Sequence, residues 1–340
     1  MHVDLDYNFP SSFGSQAAVR EIIGDWRFIA HPLRERFLKP VLDEYSGKLW
    51  NEINLPTFEQ GALKTITIRT RHGDWFGGIK KLPWDSDFFG FGIGRIEPLV
   101  RATDIELSDA TLSVACTLVA QLVSFAKARK LEHLIASVDP GDAIFIYALE
   151  ESGFRLKDTM NFHFFDLNAI QLKEKSTSIR LGRAEDSTAL GDIAFRCFGN
   201  QRYIKNRFST DPQYPIEKVG EMYRIWIQKS LVGDRADAVF VSEHQGVPVG
   251  FLTAILPTAE QQQLGFAFGD QGVGAVDPSA HRLGTFSKLH NAVLSWFKEL
   301  GINYALTRTA LSTTGVNKAC IRHGSTVPCS PHTFHADLRK

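Results

Sequence analysis

One order of secondary-structure patterns occurs twice along this 340-residue chain, and it limits the possible folds more than any other feature. In each half a long amphipathic helix pattern is followed by a strand, a short helix and another strand. These patterns cover residues 107–129, 133–138, 143–151 and 161–167, and then 286–300, 304–308, 314–323 and 333–338. Strands interrupted by helices predict an α/β (α+β) fold in which each half has a mixed, mostly antiparallel sheet flanked by helices.

The two short helical segments support an internal duplication. Residues 142–154 and 313–325 align without a gap, and each helix ends at a glycine, as helix C-caps commonly do. We therefore expect two related domains over residues 64–168 and 179–340, joined by a polar linker. Residues 1–63 form an N-terminal extension for which the sequence indicates no role.

Composition and charge exclude several classes of protein. Lys and Arg together number 38, as do Asp and Glu, so no net charge recruits nucleic acid or an acidic membrane. The four cysteines lie far apart without C-x-x-C spacing, which predicts neither a disulfide framework nor a zinc site. The N-terminus lacks an apolar signal segment, and no run of about eighteen apolar residues predicts a membrane span. We expect a cytoplasmic protein without a metal.

A basic, glycine-containing loop joins a strand to an amphipathic helix between Val276 and Leu289. Backbone N–H groups and the positive end of the helix dipole meet at such a junction, which suits a phosphate or diphosphate. An ordinary strand-to-helix connection with one glycine is the alternative. The corresponding junction of the first half, residues 100–107, has no glycine, so we assign the anion site to the second half alone. Its candidate residues are Val276, His281, Arg282, Leu283, Gly284, Thr285 and Phe286.

This loop resembles the acyl-CoA motif of the GNAT superfamily of N-acyltransferases. Members carry Q/R-x-x-G-x-G/A after a strand that ends in a phrase like Val-Asp-Pro. Here Val276-Asp277-Pro278 is present, and the three motif positions hold His281, Gly284 and Phe286. A phenylalanine at the third position would either crowd the diphosphate or point into the core, and its spacing with Leu289 favours the core.

Two further segments resemble TDP-fucosamine acetyltransferase-like members of the superfamily. Trp84-Asp85-Ser86-Asp87-Phe88-Phe89-Gly90 is similar to their N-terminal signature, and residues 207–227 resemble their central segment. The resemblance implies two GNAT-like halves, the second of which uses acetyl-CoA or a related acyl-CoA as co-substrate. It also implies acetyl transfer to the amine of a nucleotide-linked, dTDP-type deoxy amino sugar. Such a reaction would serve the synthesis of a surface polysaccharide such as lipopolysaccharide. We expect the enzyme to be a homodimer.

The resemblance also implies a general acid on the last helix, where members of the superfamily commonly have a tyrosine. Its place is Leu149 in the first half, which cannot donate a proton, and Cys320 in the second. An unperturbed thiol has a pKa of about 8.5, close to that of a leaving thiol. His323, one turn further on, is a second candidate. The alternatives, which the residue types favour, are a small buried helix residue and a histidine that satisfies the helix C-terminus.

Candidate acceptor-binding residues come from the same two segments. Trp84, Asp85 and Phe88 would contact the sugar nucleotide, with core packing of the aromatic rings as the alternative. Arg207 and Asp211 lie in a polar stretch with several aromatic residues, and their alternative is a pair of solvated loop charges. Two other functions stay open: a GNAT enzyme with a different acyl donor or amine acceptor, and a non-catalytic protein that senses acyl-CoA or binds a partner.

Overall fold

The structure is a computed structural model that describes residues 4–6, 62–71, 73–101, 105–263, 267–281 and 283–339. The strands in chain order are β1 (Asp4–Asp6), β2 (Ala62–Thr70), β3 (Gly73–Lys81), β4 (Ile93–Arg101), β5 (His133–Val138), β6 (Arg155–Asp166), β7 (Ile179–Leu181), β8 (Ala238–His244), β9 (Val247–Ile255), β10 (Phe268–Val276), β11 (Tyr304–Ala310), β12 (Thr326–Cys329) and β13 (His332–Asp337). The helices are α1 (Pro83–Phe89), α2 (Asp109–Ala128), α3 (Ala143–Glu151), α4 (Ser187–Phe198), α5 (Ile216–Leu231), α6 (Ala259–Gln263), α7 (Thr285–Glu299) and α8 (Thr314–Arg322). Most of the predicted extension, residues 1–63, lies outside the described residues.

The chain divides into two compact units. Unit 1 comprises Met1–Lys157 and Cys329–Lys340, and unit 2 comprises Asp158–Pro328. These bounds differ from the sequence-based ones because the two halves exchange their last strands: β13 pairs with β5 in unit 1, and β6 pairs with β11 in unit 2. Pattern recognition locates such strands correctly but does not indicate which sheet they join.

The sheet of unit 1 has the order β1-β2-β3-β4-β5-β13. All neighbours are antiparallel except β4 and β5, which are parallel because helix α2 carries the chain back between them. Helix α2 begins at a capping box made by Ser108 and Thr111, and it buries Leu118 and Leu122 in the core of the unit. Its length and hydropathy would also suit a membrane span, but here α2 is the central helix of this core.

The sheet of unit 2 has the order β7-β8-β9-β10-β11-β6 and, like that of unit 1, is antiparallel apart from one pair of strands. Again one pair, β10 and β11, is parallel, and helix α7 connects its strands. Leu289, Val293 and Phe297 form the buried face of α7, as their spacing predicts. Gly269 of β10 has to be a glycine because a Cβ there would lie 2.6 Å from the Phe297 ring.

The duplication is visible in the bounds of the elements. The end of the long helix, the next strand and the short helix occur at matching positions in both units. They correspond without a gap over residues 119–154 of unit 1 and 290–325 of unit 2. The predicted mixed, mostly antiparallel sheets flanked by helices are thus confirmed. The sequence patterns did not reveal β3, α1 or α5.

Candidate functional site

Strands β10 and β11 separate part of the way along their length. Their parallel pairing runs from Phe268 with Tyr304 to Gln271 with Thr307, and β10 bulges against β9 between Gln271 and Gly274. Strand β11 continues to Ala310 beside β6. Within the described part of unit 2, the edge of β10 beyond Gln271 therefore has no strand partner on the β11 side. We call this gap the opening, and its closed end at Gln271 and Thr307 the apex.

Glycines keep the backbone of β10 bare along the opening. A Cβ on Gly272 would lie 2.6 Å from Thr253 Oγ1, and a Cβ on Gly274 would lie 2.6 Å from Leu252 Cδ1. Side chains of β9 would therefore crowd a Cβ at either position. Because these residues have no side chains, the backbone N–H and C=O groups of β10 are accessible to a chain-like ligand in the opening.

Helix α7 begins beside the opening without a side-chain cap. Gly284 occupies the N-cap position with φ of 70°, a left-handed conformation that favours glycine, and a Cβ there would meet no atom within 4 Å. Thr285 does not cap the helix because its hydroxyl donates to Ala280 O. The first turn also contains no acidic residue. The free N–H groups and the helix dipole thus favour an anion at this point.

The other predicted loop residues have different roles. His281 is exposed and donates from Nε2 to Val276 O at 3.2 Å, while Leu283 is also exposed. Val276 packs against the core. Phe286 does so too and stacks on His290 at 5.7 Å, so it points away from the first-turn amides, as its helical spacing predicts. Arg282 lies outside the described residues.

A group of buried polar side chains occupies the apex. Gln271 Oε1 accepts a hydrogen bond from Thr307 Oγ1 at 2.7 Å and another from His290 Nδ1 at 2.6 Å. His290 is fully buried, and burial lowers its pKa well below the usual value, so the ring is neutral. With its proton on Nδ1, the ring leaves Nε2 as a lone-pair nitrogen, which has no hydrogen-bond partner among the described residues.

A second buried group continues from the apex. His163 of β6 lies opposite Thr307, and its Nε2 donates to Asn317 Oδ1 at 2.9 Å. Its Nδ1 accepts from Ser325 Oγ at 2.9 Å. Burial lowers the pKa of His163. All of these side chains lie on the face of the sheet that α7 and α8 cover.

The opposite face of the same strands carries carboxylates. Asp270 forms an ion pair with Arg308, and burial raises the pKa of Asp270. Its Oδ1 is buried without a partner among the described residues. Burial also raises the pKa of Asp158 to about 6, although backbone N–H groups of Thr159 and Arg207 partly offset this rise. This face therefore carries two acidic groups whose pKa values lie above the usual range.

The two predicted acids lie in environments that do not favour proton donation. Cys320 is fully buried in the apolar core of unit 2, and burial raises its pKa to about 12. A thiol of that pKa is a weaker acid than the leaving thiol it would have to protonate. His323 donates from Nδ1 to Ala319 O at 2.9 Å, and burial lowers its pKa. The ring is therefore neutral and carries no proton on Nε2. Both environments fit the alternative interpretations, a small core residue and a histidine that satisfies the helix end.

The predicted acceptor residues are divided between the two units. Trp84, Asp85 and Phe88 lie on α1 of unit 1, where Trp84 is exposed and stacks on Phe88 at 5.1 Å. Arg207 lies in unit 2 over the ring of Phe208, at 4.3 Å from its centroid. Asp211 is not a solvated loop charge, because it is buried and accepts from the backbone N–H of Gln213.

The sequence patterns did not indicate the groups at the apex and on the carboxylate face. Asp270 and Gln271 lie upstream of the Val276-Asp277-Pro278 phrase, and two polar residues in succession are not typical of a buried strand. His290 lies in the middle of a helix, where a histidine gives no motif. A polar residue within an otherwise apolar helix face was the one available signal.

Comparisons with known proteins identify the fold. No protein-family model and no curated protein matches the chain. A GCN5-related N-acetyltransferase from Sphaerobacter thermophilus is similar in structure, with a TM-score of 0.57, 15% identity, and coverage of 85% of this chain and 86% of that chain. A conserved protein of unknown function from Staphylococcus epidermidis has a TM-score of 0.51, 12% identity, and coverage of 82% and 97%.

A third structure contains the glucosamine N-acetyltransferase region of a fungal multi-domain GH3 β-N-acetylglucosaminidase. It has a TM-score of 0.58 and 13% identity, and the similarity covers 98% of this chain and 38% of that larger chain. At these identities the likeness concerns the course of the backbone. Together with the separation of β10 from β11, it shows that the chain has the fold of the GCN5-related N-acetyltransferases.

Proposed function

We propose that the protein is an acyl-CoA-dependent N-acyltransferase whose acyl-CoA site lies in unit 2. The observation that carries this proposal is the opening between β10 and β11, which lies beside the uncapped N-terminus of α7. An uncapped helix start binds a diphosphate, and a bare strand edge binds an extended, amide-containing arm. Acetyl-CoA has both parts and supplies an activated acyl group.

The residues of unit 2 fit such a co-substrate. The first-turn N–H groups from Gly284 to Phe286 would hold the diphosphate, and Arg282 would add positive charge. The edge of β10 from Gly272 to Val276 would pair with the arm, so that the thioester reaches the apex. Phe286 does not obstruct this path because it packs inward.

The carboxylate face supports an amine acceptor. Asp270, with one buried oxygen that lacks a partner among the described residues, would hold a cationic amine, and Arg207 would pair with acceptor phosphates. One structural neighbour is described as a glucosamine N-acetyltransferase region, which agrees with an amino-sugar acceptor. We propose a nucleotide-linked deoxy amino sugar of the dTDP type, acetylated in the cytoplasm for a surface polysaccharide. Asp211 of the same unit would contribute to its binding, and a contact of Trp84, Asp85 and Phe88 with a sugar nucleotide stays a prediction from the sequence.

Calorimetric titration with acetyl-CoA tests the cofactor site. Gly284→Trp should weaken binding about tenfold or more, since an indole at the helix start obstructs the N–H groups; tenfold corresponds to about 1.4 kcal/mol. Gly301→Trp is the matched control, because Gly301 also has a positive φ, 77°, and open space around its Cβ. Equal affinities in the two variants would contradict the assignment.

Turnover distinguishes an enzyme from an acyl-CoA sensor. We expect free CoA thiol to appear when the protein is mixed with acetyl-CoA and a panel of nucleotide-linked amino sugars. Acetyl-CoA binding without turnover of any amine would favour the sensor instead, and turnover of a different amine would change only the acceptor.

A further inference from the structure

Matched positions in the two units differ systematically in polarity. In unit 1, one row of buried residues crosses three neighbouring strands where the parallel pairing ends: Ile96, Ala136 and Phe334. In unit 2 the same row is Gln271, Thr307 and His163. The helices that cover the row, and the turns that follow the short helices, show the same change. Val119, Ile146 and Phe154 of unit 1 correspond to His290, Asn317 and Ser325 of unit 2.

Unit 1 shows that the fold does not require polar side chains at these positions. Its six residues belong to or pack against a continuous apolar core. Burying hydroxyl, amide and imidazole groups is unfavourable unless each is hydrogen bonded, and in unit 2 the Nε2 atoms of His290 and Gln271 are buried without a partner among the described residues. A polar cluster kept at such a cost is more typical of a functional site than of a core.

The geometry at His290 is that of an oriented base. The hydrogen bond from Nδ1–H to Gln271 fixes the tautomer and the plane of the ring, and Thr307 fixes Gln271 in turn. Phe286 stacks on the ring at 5.7 Å, and Phe165 and His323 contact it edge-on at 5.0 and 4.9 Å. The bare Nε2 is thus the one atom of the ring that is free to accept a proton.

We propose that His290 is the catalytic residue that carries the proton during acyl transfer, oriented by Gln271 and Thr307. This inference rests on the proposed function. The amine first gives its extra proton to the carboxylate face and enters the opening, which joins the two faces of the sheet. Its neutral nitrogen then forms a bond to the acyl carbon, and the carbon–sulfur bond breaks. One proton leaves the nitrogen for Nε2 of His290 and passes from Nε2 to the departing sulfur, so that the histidine ends neutral and no other reactant is needed.

The surroundings of His290 suit a transient proton. The titratable groups that interact with it on this face are His163 from β6 and His323 at the end of α8, both with lowered pKa. Cys320 of α8 lies in the core of the same unit and stays a thiol. Strands β10 and β11 contribute the uncharged Gln271 and Thr307. None of these described groups is a carboxylate that would stabilise the imidazolium, so the proton would pass readily to a thiolate.

Replacing His290 by valine, its unit 1 counterpart, is the main test. We expect His290→Val to fold, to keep the acetyl-CoA dissociation constant of the wild type, and to lose about 100-fold or more in single-turnover acyl transfer. Gln271→Leu, which keeps the imidazole but frees its orientation, should lose about tenfold or more. Ser295→Val, a buried polar residue on the same helix, is the control and should transfer acyl groups at the wild-type rate.

The outcomes separate this inference from the proposed function. Wild-type turnover in His290→Val would overturn the inference and leave the proposed function intact, whereas absent acetyl-CoA binding in the wild type would refute the function itself. The ¹⁵N spectrum of histidine-labelled protein gives a readout that does not depend on activity. We expect His290 to carry its proton on Nδ1 at neutral pH, and a proton on Nε2 would overturn the inference.

Discussion

Units 1 and 2 share one fold but treat the start of the long helix differently. In unit 1, Ser108 Oγ accepts from the N–H of Thr111 in the first turn of α2, and Asp109 places a negative charge in the same turn. In unit 2, α7 has neither a side-chain cap nor an acidic residue in its first turn. A helix that caps itself and carries an acid cannot bind a phosphate well, whereas an uncapped one can.

The two units also differ at the gap where their parallel strands separate. In unit 1, β4 also leaves β5 after Ile96, but a buried ion pair between Arg101 and Asp142 lies at the far end of β4, with Arg Nε 3.3 Å from the Asp Oδ1. In unit 2 the corresponding edge runs through glycines and leads to the uncapped helix. The fold therefore supplies the separation of the strands, and the side chains decide whether it is closed or accessible.

The largest expected effect comes from placing a polar side chain in the apolar core of unit 1. Val119→His places in the unit 1 core the residue that unit 2 has at the matched position, but without a glutamine to accept its N–H. We expect a loss of about 2–4 kcal/mol in the free energy of unfolding, measured with urea, because the ring is buried unpaired.

Val123→His is the control for this variant, since Val123 is only partly buried against the same core. It should cost clearly less stability than Val119→His. Because we assign the acyl-CoA site to unit 2, acetyl-CoA affinity should stay at the wild-type value in both variants that fold. A small cost for Val119→His would show that the polar residues of unit 2 need no functional explanation.

The pH dependence of stability tests the carboxylate face of unit 2. Burial raises the pKa of Asp158 to about 6 in the folded protein, above the value of about 3.9 expected in the unfolded chain. Between these values the folded state binds the proton more tightly, so stability should fall as the pH rises from about 4 to 6. After allowance for solvent screening, we expect this decrease to be about 1–2 kcal/mol.

Asp158→Asn should remove this part of the pH dependence, because the amide does not titrate. Urea unfolding of both proteins at several pH values provides the measurement. Buried Asp270 acts in the same direction, since burial also raises its pKa, so some slope should remain in the variant. An unchanged slope in Asp158→Asn would show that other groups cause the decrease.

Sequence patterns predicted most of the fold because periodicity reports burial. The predicted bounds of β5 and α3 agree with the structure. The exchange of β6 and β13 was not predictable, because a strand pattern does not indicate its partner. For the site, the glycine-containing loop around Gly284 predicted the anion site at the start of α7. The cluster around His290 was not predictable, because it depends on contacts between residues that are distant in sequence. Only a comparison of the two units distinguishes it from the core.

The smallest expected effect concerns Cys320, where unit 1 has Leu149. Since burial raises the pKa of this thiol to about 12, a proton transfer from it to a leaving thiolate would be unfavourable. Cys320→Ala should therefore keep the wild-type turnover and lose roughly 1 kcal/mol of stability for the atoms removed from the core. Cys197→Ala is the matched control, because Cys197 is buried in the same unit and has a similarly raised pKa. If turnover fell in Cys320→Ala but not in Cys197→Ala, the thiol would be the acid after all, and the proton path through His290 would need to be replaced.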